Sequence, residues 1–458
     1  MSVLDCSFTD IAEKEDYSFD NNNSIKKNIE KWDNSFKYSL NLFSDIDIAK
    51  NKVVNIRDKS IYNLDTLVFT FESNFNKNGG KVCFAQTTKD VNEIISKIIK
   101  ERQIKSVVLS KSNLLEEISI RNFLKKKSVD YSNSDIGDFI VYSENNKPSH
   151  IVNSAIHHNL DEISQIFSAN YGVDENANAQ EIVKVASQKI NENILGADAF
   201  ITGANFLVAD TGSIVFVENE GNILKSSLTA KTQIIIAGID KVVSSLSDLN
   251  ILLPMLSTHA TGQNMTTYTD IVSGVDVESR EEIYIIIVDN NRTNLLSDKT
   301  LRTALRCIHC GACANVCPIY KNIGGYAYNC TYPGPLGLII SPYIEKDEDN
   351  KHLPFVTTLC GKCREVCPAH ININNLILHT RKDIIDNGLH TIEDEQFIKS
   401  LYKKTIKRRR MNRGSAGIKN WKLQRKLRKL WGSRRNLPKF AQTPFSVMYT
   451  ENKERNNK

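Results

Sequence analysis

The sequence lacks the features that would carry it out of the cell or across a membrane. Its first residues, MSVLDCSFTDIAEKEDYSFDNNN, are acidic and polar, without the basic region and apolar core of a secretory signal. No stretch approaches about 18 uninterrupted apolar residues, and the most apolar run, Ile283–Val288, has the length of a buried strand. We therefore expect a cytoplasmic protein without a transmembrane helix. Its 458 residues predict two or three domains.

Common motifs of enzymes are missing as well. No G-x-G-x-x-G follows an apolar run, which leaves NAD binding unsupported. The sequence has no G-x-S-x-G turn for a serine nucleophile and no visible flavin motif, and no evident catalytic partner residues accompany His259. These absences disfavour dehydrogenases and hydrolases, and they leave the catalytic residues, if any, unknown.

Charge is distributed unevenly along the chain. From Leu401 to the end there are 19 Lys and Arg against two Glu, whereas the preceding residues carry a net negative charge of 11. Within this tail, KNWKLQRKLRKLW predicts a basic amphipathic helix whose apolar face is formed by Leu423, Leu427, Leu430 and Trp431. Such a helix suits docking to the acidic body or to a partner subunit, a peripheral contact with an anionic membrane, nucleic acid, or plain solvation. The absence of phosphate-handling motifs disfavours nucleic acid.

Between about residues 60 and 290, short β-branched runs alternate with helix-like stretches such as Asp90–Arg102. This alternation predicts an α/β domain with a largely parallel sheet. Helices are predicted within residues 1–60, over Ser297–Arg306 and over Ile373–Asn387. The predicted strands are Leu67–Phe71, Lys81–Ala85, Ser106–Leu109, Phe139–Val141, Phe200–Thr202, Ser213–Val217, Thr232–Ala237 and Glu282–Val288.

Eight of the ten cysteines are concentrated in 61 residues, and the first run is CIHCGACANVCP. Its spacing, C-x-x-C-x-x-C-x-x-x-C-P, is that of bacterial-type ferredoxins, in which three cysteines ligate one iron–sulfur cluster and the fourth ligates the other. A zinc site typically uses separated pairs of ligands instead. His309, inside this loop, is interpreted as a solvent-side spacer and not as a ligand. The cysteines of this run are Cys307, Cys310, Cys313 and Cys317.

The second run, CGKCREVCP, repeats the last three cysteines of the pattern, with Thr357 at the place of the first. Crossed ligation predicts that Cys307, Cys310, Cys313 and Cys367 hold one [4Fe–4S] cluster, and that the second is held by Cys317, Cys360 and Cys363. The second cluster then lacks one cysteine ligand. Three outcomes stay open: a [3Fe–4S] centre, an oxygen ligand on one iron, or ligation by Cys330.

The run CIHCGACANVCPIYKNIGGYAYNCTYPGPLG, followed by LPFVTTLCGKCREVCPAHIN, resembles the lactate utilization protein B family. The same family is resembled by DIGDFIVY from Asp135, PSHIV from Pro148, ITGANFLVADTGSIVFVENEGN from Ile201, ATGQ from Ala260 and KFAQTPF from Lys439. The resemblance spans about residues 60–445. It implies a lactate-utilization domain of the NagB/RpiA/CoA-transferase-like fold, two iron–sulfur clusters, and a relay subunit in a three-protein complex that oxidises L-lactate to pyruvate.

The resemblance to coenzyme A transferases leaves one alternative. In the VENEG turn, Glu218 or Glu220 would attack an acyl thioester, or the α/β domain would bind an anion, with the clusters serving regulation. A polar hairpin facing solvent is the simpler interpretation of the same residues. The expected organisation is a helical segment at 1–60, the α/β lactate-utilization domain at 61–295, a helical ferredoxin-type two-cluster domain at 296–395, and a basic helical tail at 396–458.

Overall fold

The computed structural model describes residues 19–275, 282–345, 348–387, 392–431 and 436–456. The chain divides into two compact units, a body of residues 17–381 and a second unit that contains Lys382–Lys458. The predicted helical character of residues 1–18 lies outside the described residues, whereas from Phe19 to Tyr62 it is confirmed.

The body alternates strands and helices along most of its length. Its strands are β1 Lys81–Ala85, β2 Ser106–Leu109, β3 Asp130–Asn133, β4 Ala199–Gly203, β5 Phe206–Val208, β6 Ser213–Glu218, β7 Thr232–Gly238, β8 Val242–Val243, β9 Tyr268–Val272 and β10 Glu282–Val288. Its helices before β10 are α1 Phe19–Leu40, α2 Ile46–Tyr62, α3 Leu64–Lys77, α4 Thr88–Arg102, α5 Asn113–Glu117, α6 Ile120–Lys126, α7 Ile136–Ser143, α8 Leu160–Tyr171, α9 Ala179–Gly196, α10 Asn222–Thr229 and α11 Leu249–Thr261. After β10 come α12 Arg292–Ser297, α13 Ala312–Asn315, α14 Pro318–Ile323, α15 Gly337–Ile344, α16 Lys362–Val366 and α17 Ile373–Asp386.

Six strands form a parallel sheet in the order β1-β10-β7-β4-β2-β3, which confirms the predicted α/β fold. Its two central strands, β10 and β7, align Ile285 with Ile235, and both side chains are fully buried. Continuous apolar runs such as EIYIIIV suit this place, because helices cover both faces of a parallel sheet. A second sheet, ordered β8-β5-β6-β9, pairs β6 antiparallel with both β5 and β9.

Two of the predicted strands are wrong. Leu67–Phe71 lies within α3, where Phe71 and Phe75 are both buried and their rings stack 5.5 Å apart, one helical turn from each other. Phe139–Val141 lies within α7, whose first turn is capped because the Asp135 carboxylate accepts a hydrogen bond of 2.9 Å from the Asp138 N–H. Both runs are short and apolar, a pattern that strands and helices share.

The N-terminal helices share one hydrophobic core with the cysteine-rich region. On α1, Ile25, Ile29 and Trp32 are buried, as their helical spacing predicts. The Trp32 indole N–H donates to the His259 carbonyl at 3.2 Å, at the end of α11. The lead-in predicted over Ser297–Arg306 is in part a 3-10 helix, Leu301–Arg306. Further 3-10 turns are Ile239–Lys241, Leu246–Asp248, Tyr326–Tyr328 and Glu348–Phe355.

The C-terminal unit consists of helices. These are α18 Ile392–Thr405, α19 Arg408–Met411, α20 Ala416–Trp431 and α21 Phe445–Asn456. The predicted basic helix is thus confirmed as α20, while the side chains of Leu427, Leu430 and Trp431 lie outside what the structure describes. Trp421 and Phe445 are exposed. Within the described residues, no helix is both long enough and apolar enough to cross a membrane.

Candidate iron–sulfur site

The first cysteine loop is shaped by two residues in the left-handed region. His309 has φ +57° and Gly311 has φ +74°, and the turn leads into the short helix α13. The predicted solvent-side position of His309 is wrong, because its side chain is only 16% exposed and its Nε2 lies 3.6 Å from Asp240 Oδ2. The His309 backbone N–H donates to the Cys307 sulfur at 3.2 Å, and the Ala312 N–H contacts the Cys310 sulfur. Backbone N–H groups aimed at sulfur stabilise thiolates, which suits ligands of an iron–sulfur cluster.

The PSHIV segment, Pro148–Val152, packs against this loop. A Cβ added at Gly311 would lie 3.0 Å from both His150 Cε1 and Val152 Cγ2, closer than ordinary van der Waals contact. The positive φ of Gly311 disfavours a side chain for the same position. The Tyr320 hydroxyl, on the helix after Cys317, donates to the Ser149 carbonyl at 2.7 Å. The α/β domain therefore fixes the conformation of the first loop.

The second cysteine loop repeats the geometry of the first. Gly361 has φ +88° and begins α16, and the Lys362 N–H hydrogen-bonds the Cys360 sulfur as Ala312 does for Cys310. The Thr357 hydroxyl accepts from the Leu359 N–H at 3.1 Å, so this side chain is engaged in the turn. Cys360 is exposed, whereas Cys310 is buried. The two loops are thus alike in backbone and differ in exposure at this cysteine, whereas Cys313 and Cys363 are both half-buried.

The thiols fall into two neighbourhoods. Burial, and then the neighbouring Cys307, Cys310 and Cys367, raise the pKa of Cys313 well above its usual value. Burial, and then Cys317 and Cys360, raise the pKa of Cys363 to about 12. Cys363, which belongs to the second set, also contributes to the pKa shift of Cys313, as the last of its causes. The other neighbours match the sets that crossed ligation predicts, and the assignment of ligands stays a prediction.

The donor set fits iron–sulfur clusters. Buried thiols that crowd one another stay protonated at neutral pH, as the raised pKa values of Cys313 and Cys363 indicate. A cationic metal centre reverses this balance, because it deprotonates the thiols that coordinate it. Soft thiolate ligands are those that iron–sulfur clusters use.

Comparisons with known proteins identify both regions. The family model of the LUD domain matches residues 69–289, and that of the 4Fe-4S dicluster domain matches residues 303–371. The Lactate utilization protein B of Oceanobacillus iheyensis is 35% identical over 335 residues, and that of Shouchella clausii is 37% identical over 336 residues. Each match covers 72% of this chain and 70% of the relative. The chain belongs to the lactate utilization protein B family.

A further member of the family, Lactate utilization protein B 2 of Bacillus mycoides, is 34% identical over 334 residues and covers the same shares. The predicted family and fold class are thereby confirmed. A solved structure of a DUF162 family protein from Deinococcus radiodurans covers 49% of this chain and 98% of its own, at 12% identity and a TM-score of 0.29. Similarity this low carries no structural argument.

In this family member, Cys330 has different contacts from the thiols of the two loops. Burial, and then the charge of Glu345, raise its pKa to about 12, while the Ser341 hydroxyl and the Tyr332 backbone contact its sulfur. Cys330 is nonetheless near Cys317, because burial and then both cysteines raise the pKa of the Tyr328 hydroxyl well above its usual value. This environment favours a neighbouring thiol over a fourth ligand.

Sequence reasoning missed the residues that hold the loops in place. Arg57 on α2 is buried, and its guanidinium donates to four backbone carbonyls, including Leu305 at 2.8 Å and Arg306 at 3.3 Å, directly before Cys307. Lys50, also on α2, donates to the Glu365 carbonyl in the second loop at 2.9 Å. One helix therefore contacts both loops. These contacts join residues about 250 to 315 positions apart and leave no local pattern in the sequence.

The glutamates of the VENEG turn are engaged in hydrogen bonds. Both Glu218 oxygens accept backbone N–H groups at the start of α10, from Ile223 at 2.8 Å and Leu224 at 2.9 Å. Glu220 accepts from the Ile136 N–H at 3.2 Å, and burial together with Asp135 raises its pKa to about 7. Because Glu218 serves as a helix cap, the geometry does not favour it as an acyl nucleophile.

Proposed function

We propose that this chain is the electron-relay subunit of a multi-protein system that oxidises L-lactate to pyruvate. The proposal is supported above all by the paired cysteine loops, of which the first is buried against the α/β domain and the second reaches the surface at Cys360. An electron path needs such an arrangement, with one end inside and one end accessible to a partner. Membership of the lactate utilization protein B family supports the substrate.

Under this proposal, the ligand sets are those of crossed ligation. Cys307, Cys310, Cys313 and Cys367 hold a [4Fe–4S] cluster, and the second cluster is held by Cys317, Cys360 and Cys363 with one iron lacking a cysteine ligand. When bound, the clusters supply one-electron transfer. The chain itself contributes burial, the backbone N–H groups at both loops, and exposed charge beside the second.

The exposed charges beside Cys360 suit the docking of a partner protein. Lys362 and Arg364 are exposed beside Cys360, so a partner with an acidic patch would be steered to this loop. Because lactate oxidation moves two electrons and each cluster carries one, the hydride chemistry belongs to another subunit.

The first experiment counts metal. The chain purified without oxygen should contain about seven to eight irons with matching acid-labile sulfide, as two clusters require. Replacement Cys310→Ser should remove about one cluster, whereas Cys83→Ser, a half-buried thiol on β1, should leave the count unchanged. About one zinc per chain without sulfide would contradict the proposal.

The second experiment tests the relay. The isolated, fully loaded chain should not oxidise L-lactate, and electron paramagnetic resonance should show its clusters reduced by lactate only after the partner subunits are added. Turnover of lactate by the isolated chain would refute the assignment as a relay.

A further inference from the structure

A cavity of about 450 Å³ lies at the carboxyl edge of the parallel sheet. Ser110, which follows β2, lines it together with Gly203 at the end of β4 and Gly238 at the end of β7. On another side it is lined by Ile308 and His309, which lie between the first two cysteines of the first loop. Ligands of open α/β sheets bind at the carboxyl ends of the strands. This cavity therefore joins the expected ligand position to the first cysteine loop.

The cavity contains a cation that no neighbour neutralises directly. Lys241 lines it just after β7, and in the described part of the chain its ammonium forms no hydrogen bond or ion pair. Burial lowers the pKa of Lys241 to about 8, although the nearby Asp240 and Cys307 act in the opposite direction. Arg292 also lines the cavity, but it is committed to Glu117 at 2.9 Å and to Asp240 at 2.8 Å. A second lysine, Lys111 after β2, donates to the Val152 carbonyl.

A further polar group in the wall is unexplained. Ser134, at the end of β3, lines the cavity and is fully buried, and its hydroxyl has no hydrogen-bond partner. Buried polar groups nearly always have a partner, but the Ser134 oxygen has almost no accessible surface, so it marks a polar wall and not a contact with a ligand in the cavity. Asp135 and Glu220 also line the space and would accept hydrogen bonds from hydroxyl or N–H groups of a ligand.

We propose that this cavity binds a hydroxylated organic anion larger than a three-carbon acid, with its anionic group on Lys241 and Lys111. The volume sets the size, because cavities of roughly 300–1,000 Å³ hold ligands well above the six non-hydrogen atoms of lactate. The lysines set the charge, since a buried ammonium favours a carboxylate or phosphate partner. Among the described residues, no cysteine lines the cavity, and this proposal rests on the proposed function only where it concerns the first cluster.

An anion bound in the cavity should change the midpoint potential of one cluster and not that of the other. Because Ile308 and His309 belong both to the cavity wall and to the first loop, a bound anion brings negative charge next to the cluster of Cys307, Cys310, Cys313 and Cys367. Added negative charge opposes reduction, so the midpoint potential of this cluster should fall. The second cluster, at the exposed loop, should keep its potential.

Binding is tested on the full chain with five probes, which are inorganic phosphate, L-lactate, pyruvate, ADP and flavin mononucleotide, by thermal shift and calorimetry. We expect ADP or flavin mononucleotide to bind, and Lys241→Met to weaken that affinity about ten- to a hundredfold, as loss of a charge-assisted hydrogen bond does. The matched control is Lys231→Met, an exposed lysine that precedes β7 at its opposite end. If Lys241→Met does not fold, Lys111→Met carries the same comparison.

Three results would overturn the inference. The first is that none of the probes binds, and the second is that only phosphate, lactate or pyruvate binds. The third is that Lys241→Met shifts the potential of the first cluster with unchanged affinity for every probe, because the lysine then serves the cluster alone. These measurements do not use lactate turnover, so a failure of the relay would leave their outcome readable.

Discussion

Replacement of Arg57 is the sharpest test of how the body holds the first cysteine loop. Its guanidinium donates to the carbonyls of Arg306 and Val242 at 3.3 Å, of Leu305 at 2.8 Å, and of Asp240. Four carbonyls from two distant segments thus depend on one side chain, which is 1% exposed.

The magnitude follows from these bonds. Hydrogen bonds from a charged donor each contribute about 1.5–3 kcal/mol, but burying the guanidinium costs several kcal/mol in desolvation. Arg57→Met leaves these buried carbonyls without their donor, at about 1–3 kcal/mol each, but it also removes the desolvation cost of the guanidinium, so the net cost should be about 3–5 kcal/mol. Arg57→Lys keeps the charge without the planar fork and should lose less.

Urea unfolding of the anaerobically purified chain measures the free energy, and iron analysis measures loss of the first cluster, because the carbonyls of Leu305 and Arg306 precede Cys307 directly. The control is Lys52→Ala, an exposed residue on the same helix, which should change stability by less than about 0.5 kcal/mol. If Arg57→Met unfolds like the control and keeps its iron, the reasoning from these four bonds is wrong.

Three further outcomes are expected. Cys330→Ala should leave the paramagnetic signal of the second cluster unchanged, and conversion of a [4Fe–4S] to a [3Fe–4S] signal would instead make it a ligand. Deletion of Leu401–Lys458 should keep both clusters but weaken assembly with partners or binding to anionic vesicles, measured by cosedimentation, and the parent's binding should fall with salt. Burial raises the pKa of Asp198, but hydrogen bonds from the N–H groups of Lys105 and Ser106 lower it by a larger amount, so the net shift of the pKa is downward. The stability advantage over Asp198→Asn should be present at neutral pH and shrink as the pH falls below about 4, and an advantage that grows in acid would contradict this sign.

What the sequence could predict is what it encodes locally. The β-branched run of β10 and the spacing of Cys307, Cys310 and Cys313 predicted a sheet and a cluster loop, because each signal fits within a few residues. Phe71 and Phe75 show the limit, since a short apolar run fits a strand as well as one face of a helix. Length and flanking polar residues decide such cases only weakly.

The rest could not be predicted because it depends on tertiary contacts. Arg57 reaches a carbonyl 249 positions away, and its buried guanidinium has no signature in composition or periodicity. The cavity is assembled from the ends of strands far apart in sequence, with Lys241 and Ser134 brought together only by the order β7-β4-β2-β3.

His150 and Val152 pack against Gly311, and Lys50 and Arg57 on α2 bond to the two cysteine loops. These contacts determine which parts of the chain must be present for the loops to fold. Excising residues 296–395 as a miniature ferredoxin would remove every one of these contacts, so the fragment should fail to retain its inorganic cofactors even when reconstituted. Folding and cluster insertion in the cell depend on the same contacts between distant segments. Helix α2 is synthesised long before the last cysteine. Arg57 can therefore donate to the carbonyls of Leu305 and Arg306 only after about 250 further residues have been translated.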